Sequence, residues 1–226
     1  MHALAVCVII FEINLCNCYL VRSAMGPFVA DFARTLRMPD GSVPVPWCPR
    51  FPFAQEEHIC FARSGGQGYT ADGLFHFFGE SPLSGHDFES WNDVGVWRQA
   101  MFSDLQWFSI AEDAFGYQFC MRPDGRRPVV KALSLWDGSF TLIANTFTDF
   151  IVRIVLDETS WCSMRNRYSV FIKQNGMAFR PLAHLSFKVP PLLSRGDIDH
   201  DVFEWTESMA NASVLSQVLA GRKSAS

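Results

Sequence analysis

Between Trp107 and Asp157 the spacing of apolar side chains changes period once, and the rest of the chain is organised around that change. Phe108, Ile110 and Ala111 begin an apolar strand that runs into Glu112 and Asp113. Tyr117 to Met121 is a second β-prone run, broken by the turn chemistry of Pro123-Asp124-Gly125. Pro128 to Leu135 reads as the next strand, turned back by Asp137-Gly138 into Phe140 to Ala144 as a hairpin. Then Phe147, Phe150, Ile151, Ile154 and Val155 fall on one face of a helix. Thr146 and Asp149 stand at capping-box spacing, and Asp149 can pair with Arg153 one turn on. The pattern predicts an α+β fold, an antiparallel β-sheet meander packed against helices.

Outside this stretch the signals are shorter. Phe28, Val29, Phe32 and Leu36 predict an amphipathic helix ending before Pro39-Asp40-Gly41. Pro44, Pro46, Pro49 and Pro52 impose an extended or looped path, and Ala54 to Ala62 reads as a second short helix. The glycines of Ser64-Gly65-Gly66-Gln67-Gly68 suit a tight turn into a strand at Gly73 to Phe78; no Gly-Lys-Ser/Thr follows to make a phosphate loop. A short helix is expected around Val96 to Met101, and a turn or helix stop at Asn175-Gly176. Val189 to Leu193 reads as extended, Phe203 to Leu219 as a closing helix, and Gly221 to Ser226 as a frayed tail.

Composition narrows the function classes. Twenty-one Phe and seven Trp supply a large core. A net charge of −4, with four Lys among nineteen basic residues, offers no basic stripe for phosphates, so no nucleic-acid partner is expected. The seven Cys are odd in number and irregularly spaced, which points to reduced thiols and a cytoplasmic protein. The run from Ala3 to Phe11 is too short for a bilayer, which takes ~20 residues, so no membrane span is expected. Only His2 stands where a secretory signal would carry Lys or Arg. Residues 1–24 read as an N-terminal extension or an over-extended start upstream of Met25, and residues 25–226 as a single domain.

Candidate chemistry is sparse. His76, His86, Asp93 and Glu112 are the groups an enzyme would use, but each has a bland reading. His76 can pack in its aromatic strand, His86 with Asp87 can belong to a hydrogen-bonded loop, and Asp93 and Glu112 can cap turns or pair with Arg98. Glu112 and Asp113 point to opposite faces of a strand and cannot work as an acid/base pair. Cys16 and Cys18 are too close for a zinc half-site, and the Cys and His residues lack zinc spacing. Asp197, Asp199 and Asp201 begin like a calcium loop, but Val202 and Ser208 stand where Gly and Glu are needed. No metal, no cofactor and no catalytic residues are expected.

An ordered set of motifs carries a family resemblance: Trp91-Asn92-Asp93 with Trp97-Arg98, then the run Ala111-Glu112-Asp113-Ala114-Phe115-Gly116-Tyr117-Gln118-Phe119. The Thr146–Asp157 helix, Gln174-Asn175-Gly176 and Val189-Pro190-Pro191-Leu192-Leu193 follow in order. Over roughly Gly65 to Leu219 the chain resembles the SMI1/KNR4 group, the SUKH superfamily, departing from it at Ser194-Arg195-Gly196 and Trp136-Asp137-Gly138 and matching poorly over its first sixty residues. The resemblance implies an immunity protein that binds and neutralises a cognate secreted polymorphic toxin, such as a nuclease, in contact-dependent or type VI-type bacterial competition. Eukaryotic relatives imply a regulatory or scaffold role instead. Neither brings catalytic residues, and nothing in the chain singles out the toxin-binding ones.

Overall fold

Strands that are neighbours in sequence are also neighbours in space, so one sheet runs β1-β2-β3-β4-β5-β6 with every pair antiparallel. Its strands are β1 (Gly68–Tyr69), β2 (Phe75–Phe77), β3 (Phe108–Asp113), β4 (Gln118–Met121), β5 (Val130–Leu133) and β6 (Phe140–Ala144). A separate two-stranded ladder pairs β7 (Ala183–Phe187) with β8 (Phe203–Glu207). The computed structural model describes residues 25–48, 56–80, 86–102, 105–122, 129–175, 180–187 and 203–225. Residues 1–24, the Pro123-Asp124-Gly125 turn, Val189 to Leu193 and Asp197, Asp199 and Asp201 lie outside them.

The expected α+β meander is the fold observed. The Asp137-Gly138 hairpin closes with Ser134 and Ser139 bonded through their backbones, and Gly138 takes φ +74°. The helix after β6 begins where its cap predicts: the Thr146 hydroxyl accepts from the Asp149 N–H at 2.9 Å. Its first turn, α5 (Phe147–Phe150), is α-helical, and Ile151–Leu156 continues in π geometry. Phe147, Phe150, Ile151 and Val155 are buried, while Ile154 is half-buried. Arg165 reaches back to donate to the Ile154 and Val155 carbonyls, satisfying acceptors that the helix end leaves open.

The sheet is covered on both faces. Register places Phe75, Phe77, Ala111 and Phe119 on one of them. There Phe150 packs on Phe119 and Phe77, with ring centroids 4.8 and 6.1 Å apart. Phe61 of α2 (Glu56–Arg63) joins Phe77 and Phe147, and Phe32 of α1 (Met25–Ala33) closes over Phe61. Against the other face lie α3 (Phe88–Trp91), the β7–β8 ladder and α7 (Ser208–Ala225).

Two expectations are corrected. Phe203 to Glu207 is strand β8 and not the start of the closing helix, because Phe203 pairs with Phe187 and Trp205 packs on Phe171. The helix starts at Ser208, where the Glu207 carboxylate accepts from the Met209 and Ala210 N–H groups as an N-terminal cap. It runs on through Gly221 to Ala225, so the tail does not fray at the glycine. The short helix expected around Val96 to Met101 is present, a π-helical turn at Val94–Arg98 leading into α4 (Gln99–Met101). The 14-residue helix α6 (Cys162–Asn175) was not foreseen, since only Tyr168 and Phe171 are buried on it and so narrow a stripe leaves little periodicity.

Phe150→Ala is expected to destabilise the protein by ~3–5 kcal/mol, through a cavity where the helix closes the sheet. Exposed Arg153→Ala should change stability by less than ~0.5 kcal/mol; denaturant melts of the two variants check the pair. A second prediction concerns His58, wholly buried among the rings of Trp47, Phe61, Phe88 and Phe147. Burial pushes its pKa down to about 4 from 6.5, so the unfolded chain takes up the proton first. Stability is therefore full above pH 6.5 and falls as pH drops towards 4, by about 3 kcal/mol for this group. Melts across that window should show His58→Leu losing less stability than wild type by about that amount.

Candidate functional site

One row of side chains crosses the second face of the sheet. The register pairs Tyr69 with His76, His76 with Glu112, Glu112 with Gln118, and Gln118 with Leu133. Successive strands thus set an aromatic ring, an imidazole, a carboxylate and an amide side by side, because cross-strand partners share a face. Tyr69 stacks on His76 at 4.2 Å, and Nδ1 of His76 lies 3.2 Å from Oε1 of Glu112.

The second oxygen of Glu112 is held by two donors. His184 of β7 donates through Nε2 to Oε2 at 2.9 Å, and Gln118 donates through Nε2 at 3.2 Å. Asn211 of α7 fixes the other side of the His184 ring, Nδ2 to Nδ1 at 3.2 Å. Gln118 is held in turn: its Oε1 accepts from Trp91 Nε1 at 2.7 Å and from the Ser109 hydroxyl at 2.8 Å. Burial alone would raise the pKa of Glu112, but the electrostatic interaction with His184 and the hydrogen bonds from His184 and His76 hold it well below the ordinary range. The interactions thus favour an ionised carboxylate at a buried position.

His86 completes the group from the segment preceding α3. Its ring stacks near His76 at 5.6 Å and Trp91 at 4.9 Å, with Nδ1 3.9 Å from Oε1 of Glu112. Burial pushes its pKa down to about 4. The ligand atoms of His76, His86 and Glu112 all lie within 4.8 Å of one another, the one set of three His, Cys, Asp or Glu side chains among the described residues with metal-ligand spacing. All are closed off from solvent: His76 is 6% exposed, His86 2%, Glu112 3% and His184 1%.

Of the four groups an enzyme would use, the fold brings His76, His86 and Glu112 together and leaves Asp93 out. Asp93 is exposed and accepts from the Gly95 N–H at 2.7 Å, as a turn cap. His76 does more than pack, since it bonds Glu112, and Glu112 neither caps a turn nor pairs with Arg98. Arg98 instead donates to the carbonyls of Asn92, Trp107 and Leu105. Asp87 is the N-terminal cap of α3, accepting from Glu89 and Ser90. Opposite-facing Glu112 and Asp113 are as expected: Asp113 accepts from Phe115, Tyr117 and the Trp161 indole on its own side. His184 and Asn211 were not anticipated, being brought in by a ladder and a helix far along the chain.

The space around the group is small. A cavity of about 10 Å³ borders Tyr69, His76, Glu112 and His184, room for one water molecule. A larger open groove of about 490 Å³ lies elsewhere, between Asp72, Glu158, Arg165, Tyr168 and Lys173, and shares only Leu74 with that cavity.

Gly116, in the loop between β3 and β4, has φ +84°, and a Cβ there would stand 3.0 Å from Nδ1 of His184. Gly116→Ala is therefore expected to destabilise by more than ~1 kcal/mol, from left-handed backbone strain and pressure on the His184 ring. A urea midpoint unchanged from wild type would refute that account. In comparisons with known proteins, no family model matches the chain and no curated protein matches it.

Proposed function

We infer that this protein is a binding module of the SMI1/KNR4 (SUKH) kind, an immunity protein that binds and neutralises a cognate secreted toxin in the cytoplasm of the producing cell. The observation that carries this reading is where the resemblance-bearing residues lie. In the motifs Trp91-Asn92-Asp93, Trp97-Arg98 and Ala111 to Phe119 every residue is buried except Asp93, which is exposed, and Tyr117, which is half-buried. They bond one another and the backbone: Asn92 bridges Phe88 and Ser109, and the Trp97 indole donates to the Trp91 carbonyl. A motif consumed by the scaffold leaves exposed side chains free to follow a partner, which suits a binding protein better than an enzyme.

The enzymatic alternative draws on the convergence of His76, His86 and Glu112. It is weakened by their burial and by the separation of the large groove from them. Among the described residues no helix is long and apolar enough to cross a membrane.

The test is co-production with the product of the neighbouring reading frame. A secreted toxin encoded there should stop growth when made by itself, and growth should return when this chain is made with it. The two proteins should also co-elute as a complex. Phe150→Ala should lose protection at the temperature where it unfolds and regain it at a lower one. A neighbouring product that is neither toxic nor bound would sink the reading.

A further inference from the structure

His86 is the one member of the buried group that hydrogen bonding does not explain. Among the described residues neither of its ring nitrogens has a hydrogen-bond partner. A neutral imidazole always carries one N–H and one lone pair, and leaving such groups buried and unmet is costly. Protonation would not mend this, since a second N–H would appear and the Glu112 oxygen stands 3.9 Å away. The carboxylate, meanwhile, is divided. Oε2 is engaged by His184 and Gln118, while Oε1 faces the Nδ1 atoms of both His76 and His86.

We propose that His76, His86 and Glu112 form a binding site for one divalent transition-metal ion, with zinc the best match to the ligands. Two imidazoles and one carboxylate suit zinc, whereas magnesium and calcium prefer sets of oxygen ligands. At zinc–ligand lengths near 2.1 Å, any two ligand atoms must lie about 3.2–4.2 Å apart. The His76–Glu112 separation of 3.2 Å and the His86–Glu112 separation of 3.9 Å meet that condition. The widest separation in the set, within 4.8 Å, needs a contraction of under ~1 Å, which His86 is free to make because no hydrogen bond holds its ring. His184 and Gln118 supply the outer shell that orients a ligating carboxylate. Because the group is sealed, the ion serves to hold the strand β2, the segment before α3 and strand β3 together, with no substrate reaching it. The proposal departs from the absence of metal expected from spacing, and it stands apart from the toxin-binding reading.

The full-length protein is stripped with a chelator, and zinc alone is then titrated calorimetrically and by thermal melting. One zinc per chain and a raised melting temperature are expected. Cobalt in place of zinc should give a spectrum without a thiolate-to-cobalt charge-transfer band, since no cysteine is a ligand. His86→Leu keeps an apolar side chain among the rings of Phe78, Trp91 and His76. Its metal-free form should melt at least as high as the metal-free wild type, while its zinc affinity falls at least ~100-fold. Wild type that binds no stoichiometric zinc, a His86→Leu variant that binds it as tightly, or a thiolate band in the cobalt spectrum would each overturn the proposal.

Discussion

A carboxylate cut off from water must find its compensation among side chains, and in this protein Glu112 imposes that demand on everything around it. Burial of an ionised group without partners is among the most costly things a fold can do, so the partners have to be held as firmly as the group itself. Glu112 meets the requirement by recruiting β2 through His76, β4 through Gln118, and the distant ladder and closing helix through His184 and Asn211. Loss of one partner would leave the charge partly exposed to an apolar interior, and the remaining network would have to rearrange.

The two faces of the sheet therefore use different physics. On one, Phe75, Phe77, Phe119 and Phe150 interlock as rings, a contact that tolerates small shifts because dispersion is non-directional. On the other, donors and acceptors meet at fixed distances and tolerate little displacement. The outer helices follow this division. α5 presses on the aromatic face with Phe147 and Phe150, while α7 contributes Asn211 to the polar one.

Much of the first face was legible in the sequence, because its signals are local. The Asp137-Gly138 turn, the Thr146 cap and the spacing of Phe147, Phe150, Ile151 and Val155 can each be read within a dozen residues. The second face was not. His76, His86, Glu112 and His184 are separated by long stretches of chain, and only strand register and the docking of β7 bring them together. Phe203 to Glu207 was misread for a related reason: a strand whose partner lies across a long connection shows only its own short alternation, which a following helix easily absorbs. Glu112 was noticed as a residue, and its opposite-facing relation to Asp113 followed from strand geometry. What it bonds did not.

The cross-strand row from Tyr69 to Gln118 has a consequence for how the chain finds its pairing. A slip of one residue between β2 and β3, or between β3 and β4, would reverse which side chains share a face. It would place an imidazole or a carboxylate against Phe77 and Phe119, and phenyl rings against His184. Mispaired hairpins of an aromatic-rich meander could otherwise bury nearly as much surface as the native one. The polar row works as a proofreading mark against one-residue slips of the central strands, which would part the Glu112 carboxylate from His76 or Gln118 and leave it buried with fewer donors.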